Sequence, residues 1–240
     1  MSDDQQPNLQ ETFISHLVEL RNRLVKASLA VLIVAGILFL VWPGAAAIYD
    51  FIARPMMDSL PAGSKMIATG IIDPFLVPMK VTLLVAFVIS LPWVLYQAWA
   101  FIAPGLYAHE KKLIAPLVIS SSLLFVAGIA FCYFFVFGKV FKFISEFAPQ
   151  SIAVAPDIGN YIDFVMTMCL VFGITFEVPV VVVVLVRMGL VSVAKLKEWR
   201  GYVIVGAFVV SAIVTPPDVA SQIFLAVAMC ILYEIGLLVA

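Results

Sequence analysis

Three carboxylates stand where carboxylates are costly or conspicuous. Glu177 is the only charge in the run Phe164–Val186, otherwise apolar but for Thr167 and Thr175, with Pro179 two residues on. A helix of that length crosses a bilayer, and a carboxylate inside it costs about 3 kcal/mol on insertion scales unless something polar meets it. Glu177 is therefore expected to face protein, water or a ligand. Two readings stay open: a structural contact to Thr175, Thr167 or a serine of Ser120–Ser122, or a functional role. Glu19 and Glu110 each sit beside a membrane helix, in His16-Leu17-Val18-Glu19-Leu20-Arg21 and in His109-Glu110. If the helix around Glu19 packs beside the loop holding Glu110, both acids face one shallow surface. Such a surface suits a ligand with two adjacent guanidiniums, each able to take a bidentate carboxylate contact that lysine cannot reproduce. The plainer alternative pairs Glu19 with Arg23 at i,i+4 and Glu110 with Lys111 or Lys112. Asp218, after Thr215-Pro216-Pro217, reads as the N-cap of a last helix, with Gln222 one turn further on a similar side. Glu234 reads as interfacial.

Other chemistry is not suggested. No nucleophile–base pair, P-loop or dinucleotide fingerprint is present, so neither an enzyme nor a cofactor is expected. Cys132, Cys169 and Cys230 lie in apolar runs without a C-x-x-C pair, and His16 and His109 are far apart, so no disulfide framework or metal site is expected.

The elements that must hold these residues are membrane helices. Apolar residues make up 64% of the chain, charged ones 12%, and the mean hydropathy is +1.13. A soluble domain carries nearer half apolar and a quarter charged. The sequence reads as one all-α polytopic domain over 1–240 with six transmembrane helices, embedded in lipid and without nucleic-acid partners. Residues 1–23 hold a polar start and an amphipathic helix, Thr12–Lys26, expected to lie on the membrane surface and turn into a first span, Leu24–Trp42. That run outlasts a signal-peptide h-region, so it is read as retained despite the Ala45-Ala46-Ala47 after it. A long loop, 43–74, follows, with a short helix expected over Ile48–Met57. Then come a span over Val81–Ala103 with a kink expected at Pro92, a loop over 104–112, a span over Leu113–Phe137, a loop over 138–160, the span Tyr161–Met188 and a charged loop over 189–200. Tyr202–Val214 and Val219–Tyr233 read as two short final spans rather than a re-entrant pair.

Six spans put both ends on one side. Arg21, Arg23, Lys26, Lys111, Lys112, Arg187, Lys195, Lys197 and Arg200 fall on one face, nine in all, against five on the other: Arg54, Lys65, Lys80, Lys139 and Lys142. The positive-inside rule then makes both termini cytoplasmic and the loops 43–74 and 138–160 external. No internal repeat is visible, which argues against a rocking-bundle transporter.

Several stretches together resemble the TatC family, the core subunits of twin-arginine protein translocases. They are His16–Leu24, Tyr96–Glu110, Ser120–Phe125, Phe172-Gly173-Ile174-Thr175-Phe176-Glu177-Val178-Pro179 and Thr215-Pro216-Pro217-Asp218-Val219. The resemblance covers nearly the whole chain; the family's charged tail alone lacks a counterpart.

The resemblance implies a concave, glove-like bundle in the bacterial inner membrane. It implies a receptor for Arg-Arg signal peptides of folded cargo proteins, working with single-span TatB and TatA subunits and with other copies of itself, powered by the proton-motive force. By position it places Glu19, Glu110, Phe101 and Arg21 in the signal-binding patch, and Pro55 and Asp218 at sensitive periplasmic positions. It makes Glu177 a buried acid on the inner wall, and sets Thr215 and Gln222 where a partner helix docks. The rival from another class is a proton-coupled secondary transporter using Glu177.

Overall fold

The structure is a computed structural model that describes residues 9–40, 44–60, 65–102, 114–147, 155–215 and 218–240. Their regular structure is helical apart from one isolated bridge. The chain runs α1 Leu9–Leu40, α2 Ala45–Met57, α3 Asp73–Ile102 and α4 Ile114–Phe131. A π-helical turn, Cys132–Val136, leads into α5 Phe137–Phe147. Then follow α6 Ile158–Phe176, α7 Val178–Arg187, α8 Val193–Glu198, α9 Arg200–Val214 and α10 Val219–Val239.

Five stretches are long and apolar enough to cross a membrane: Ile14–Leu40, Asp73–Ile102, Ala115–Ile144, Ile158–Arg187 and Val219–Val239. With the shorter α9 between the last two, the chain is a multi-pass membrane protein. Shortness is confined to α9. Its 15 residues reach about 22 Å against roughly 30 Å of hydrocarbon, whereas α10, with 21 residues, is long enough. The expected turn between the amphipathic segment and the first span is not there, because α1 is one unbroken 32-residue helix. Nothing between Thr12 and Trp42 breaks a helix: that stretch has no proline, and its one glycine, Gly36, meets nothing within 4 Å. The third span likewise runs on through the π-turn to Phe147, further than expected.

The fourth span does break. Pro179 has no N–H, so the Thr175 carbonyl loses its i→i+4 partner and the chain turns once at Glu177 before α7 begins. At its other end α7 closes on Gly189 at φ +69°, where Gly189 N–H donates to Val186 O (2.9 Å) and Leu190 N–H to Leu185 O (3.1 Å). That pair of bonds is the Schellman ending, and glycine supplies the left-handed residue it needs.

The main core gathers α3, the π-turn, α5 and α6 around Val81, Cys132, Phe137, Ile162, Met168 and Phe172, with α2 and Leu225 of α10 packed on it. The spans α4 and α6 touch backbone to side chain. A Cβ on Gly128 would strike the Phe172 carbonyl, and one on Gly173 the Phe125 ring. Without a hydrophobic force between helices in lipid, such close approach of small residues is what holds spans together.

Beyond the spans, residues 67–69 meet residues 156–158. Ile67 and Asp157 form a parallel bridge, with Ile67 N–H donating to Pro156 O (3.0 Å) and Ile158 N–H to Ile67 O (2.9 Å). Asp157 caps α6, accepting from Asn160 N–H at 2.9 Å and from the Thr69 hydroxyl at 2.7 Å.

Candidate functional site

One end of the bundle brings together residues 85 apart in sequence. Phe101, in the last turn of α3, stacks on His16 of α1 with centroids 4.3 Å apart and planes 19° apart. Glu19 lies three residues from His16, its Oε2 4.0 Å from His16 Nδ1. Arg23 donates through Nε (2.8 Å) and Nη2 (2.6 Å) to Glu19 Oε1. The i,i+4 alternative for Glu19 is thus present in the resting chain. Arg21 points elsewhere, to the Asn22 side chain. Below these groups is a hollow of about 210 Å³, lined by Leu20, Arg23, Leu24, Gln97, Phe101 and Ile102 among others. Glu110, with the whole loop 103–113, lies outside the described residues.

Trp99 is two residues from Phe101 and so about 200° round the same helix. It is buried, and its Nε1–H donates to Ser121 Oγ of α4 at 3.0 Å. Ser120 and Ser122 instead return their hydroxyls to carbonyls of their own helix, those of Leu117 and Val118. Ser121 alone of the three faces inward, fully buried. It is also the polar side chain that interacts with Glu177, from outside hydrogen-bond geometry. Both Glu177 oxygens are buried and have no hydrogen-bond partner among the described residues. The carboxylate therefore does not face lipid. It sits at the break between α6 and α7, between the main core and a smaller apolar cluster of Trp99, Val118, Val180 and Val184.

At the other end, Pro55 lies within α2 and lines a hollow of about 440 Å³ with Asp58, Ser59, Gly138, Lys142 and Glu146. Asp218 caps α10, its Oδ1 accepting from Ser221 N–H at 2.6 Å, as its sequence position suggests. Thr215 is buried and spends its hydroxyl on Ser211 O at 2.7 Å, while Gln222 is half-buried on α10.

By sequence Trp99 groups with Trp93, Tyr96 and Phe101 as an interfacial belt, but it is buried inside the bundle because its N–H finds a partner there, while His16, Gln97 and Tyr133 carry no role legible from the sequence. An aromatic with a polar tip inside an apolar run was the available signal, since a buried N–H or O–H must find a partner. Sequence reasoning also missed two ion pairs, Lys80–Asp163 (2.7 Å) and Arg200–Glu234 (2.6 Å), whose members are far apart in the chain.

Comparison with known proteins agrees with the fold. The family model for TatC, the Sec-independent protein translocase protein, matches residues 15–227. The TatC protein of Halothiobacillus neapolitanus is 51% identical over 228 residues, which are 95% of this chain and 62% of that relative. The one from Escherichia coli K12 is 48% identical over 234 residues, 98% of this chain and 88% of the relative. A crystal structure of a twin arginine translocase receptor, TatC, superimposes with a TM-score of 0.79 at 38% identity, over 93% of this chain and 96% of that one. With its helical fold and these matches in agreement, the chain belongs to the TatC family of protein translocase components, which are not enzymes.

Proposed function

We propose that the chain is the receptor of a twin-arginine translocase. The observation that carries this reading is the lip where Glu19 stands beside the His16–Phe101 stack above an apolar hollow. An acid next to a flat ring suits a guanidinium, which takes a bidentate carboxylate and stacks on an aromatic face. Glu110 supplies the second acid, so two adjacent arginines of a cytoplasmic signal peptide are held together, with Arg21 nearby orienting the segment. The apolar part of the signal then moves along the wall that Trp99, Ser121 and Glu177 link to the lip. Family membership supports TatB- and TatA-type single-span partners, other copies of this chain, an inner-membrane location with both termini cytoplasmic, and the proton-motive force as the energy source. The partner helix docks along α9 and α10 near Thr215 and Gln222, and Pro55 and Asp218 shape the periplasmic face.

The test is crosslinking of an Arg-Arg signal peptide to wild type and to a Glu19→Gln, Glu110→Gln double variant. Loss of crosslinks by tenfold or more is expected; equal crosslinking would remove the reading. Glu177, buried without a hydrogen bond among the described residues, favours a second reading, a proton-coupled transporter. That reading predicts small-solute flux in liposomes holding this chain alone, where the receptor reading predicts none.

A further inference from the structure

Glu19 already holds a guanidinium. Arg23 sends two N–H groups to the same oxygen, Oε1, at 2.8 and 2.6 Å, and among the described residues Oε2 is met only by His16 Nδ1, at 4.0 Å. We propose that Arg23 is an internal competitor for the guanidinium site on Glu19, so that capture of a signal peptide is an exchange of one guanidinium for another and Arg23 sets the preference for arginine over lysine. The inference rests on the reading of Glu19 as a guanidinium-binding acid and adds the residue that guards it.

The charge around the lip makes such a guard meaningful. Between residues 14 and 49 Glu19 is the only acid, against Arg21, Arg23 and Lys26. This stretch of the lip is not a negative field that would draw in any cation; selection has to come from contact geometry. A bidentate grip needs both carboxylate oxygens and therefore has to evict Arg23 from Oε1. A guanidinium replaces what it evicts, fork for fork. An ammonium offers one point contact, reaches Oε2 alone, and leaves Arg23 in place as a like charge beside it.

The pair is also built to yield. Its side chains are 25% and 37% exposed, and an exposed i,i+4 pair contributes little to helix stability. Arg23 has somewhere to remain when displaced, since it lines the hollow with Leu20, Leu24, Gln97 and Phe101, where an aliphatic stem can lie while the head turns to solvent.

The experiment measures binding of a labelled signal peptide carrying Arg-Arg, and of the same peptide with Lys-Lys, to the full chain in nanodiscs. The variants are Arg23→Gln, Arg23→Lys, Lys26→Gln and Glu19→Gln. Arg23→Gln is expected to tighten Arg-Arg binding about threefold and Lys-Lys binding about tenfold, so that the Arg/Lys preference falls about threefold. Lys26→Gln removes a charge one turn away and should move both peptides together, leaving the preference intact. Arg23→Lys, which keeps the charge but loses the fork, should lower the preference in the same direction, and it decides the matter if Arg23→Gln does not assemble. An unchanged preference in the Arg23 variants, with Glu19→Gln still weakening binding, overturns the guard and spares the receptor reading. If Glu19→Gln leaves Arg-Arg binding intact, the receptor reading falls and the guard falls with it.

Discussion

The hydroxyl of Tyr133 donates to the carbonyl of Phe51 at 2.6 Å, and Phe51 is the residue of α2 whose helical partner would be Pro55. Proline brings no N–H, so that carbonyl is left without its i→i+4 bond and a side chain from the third span fills the vacancy. The adjacent carbonyl, of Ile52, receives the hydroxyl of Tyr161 from α6 at 2.9 Å. Pro55 thus matters for the bond it omits. Tyr133→Phe should destabilise the chain by about 1 kcal/mol, read as a lower thermal midpoint in detergent. Pro55→Ala returns the N–H, so Tyr133→Phe in that background should cost measurably less. Additive effects in this double-mutant cycle would show that proline and tyrosine are unrelated.

Glu177→Gln keeps the shape of a side chain while removing a carboxyl that lacks hydrogen bonds among the described residues. Its thermal midpoint should be unchanged or higher, because a buried carboxylate costs more than a neutral amide of the same shape. Crosslinking of the signal's apolar segment, and export, should nonetheless fall tenfold or more. A lower midpoint with normal export would make Glu177 a structural residue.

Trp99→Phe deletes the donor to Ser121 Oγ and should cost about 1–2 kcal/mol. Since Ser121 also interacts with Glu177, the loss should be smaller in a Glu177→Gln background. Equal losses in both backgrounds would separate the two contacts.

Asp157 carries a pH dependence with a definite sign. The Asn160 N–H, then the Thr69 hydroxyl, hold its carboxyl below the usual carboxylate value. A depressed folded value contributes stability that is present above the unfolded value, about 3.9, and is lost as pH falls through the folded one. Wild type should therefore exceed Asp157→Asn in thermal midpoint at pH 7, and the gap should close as pH drops below about 4. A gap that persists at low pH would mean the charge is irrelevant to the latch between the two loops.

Gly128→Ala should cost about 1–3 kcal/mol, because the new methyl meets the Phe172 backbone, which cannot step aside. Gly36→Ala meets nothing within 4 Å and should not lower the midpoint. Equal effects at the two sites would show that α4 and α6 are not in tight contact.

What the residues could disclose on their own was whatever is local. Apolar runs gave the spans, the i,i+4 spacing gave Glu19–Arg23, Asp218 after two prolines gave a cap, and the cost of a carboxylate in hydrocarbon kept Glu177 out of lipid. What they hid depends on partners far away in the chain. Lys139, Lys142 and Glu146 look like a loop, yet they ride on a span that continues past its apolar stretch to Phe147. The pairing of Ile67 with Asp157 joins two loops 90 residues apart and leaves no periodic mark. Pro179 was visible, but its effect, a one-residue break that puts Glu177 at a turn, depends on what packs around it. Which of three consecutive serines faces the acid needed the rotation of α4.

The short α9 carries one more implication. Acyl tails beside it meet an apolar wall about 22 Å tall, while those beside the 30-residue α3 meet one that fills the whole hydrocarbon layer. Leaflets that match that wall pinch on this flank, drawing headgroups and water towards the midplane there. Where they do, a polar chain passing next to α9 has about a quarter less oil to cross than one passing beside α3.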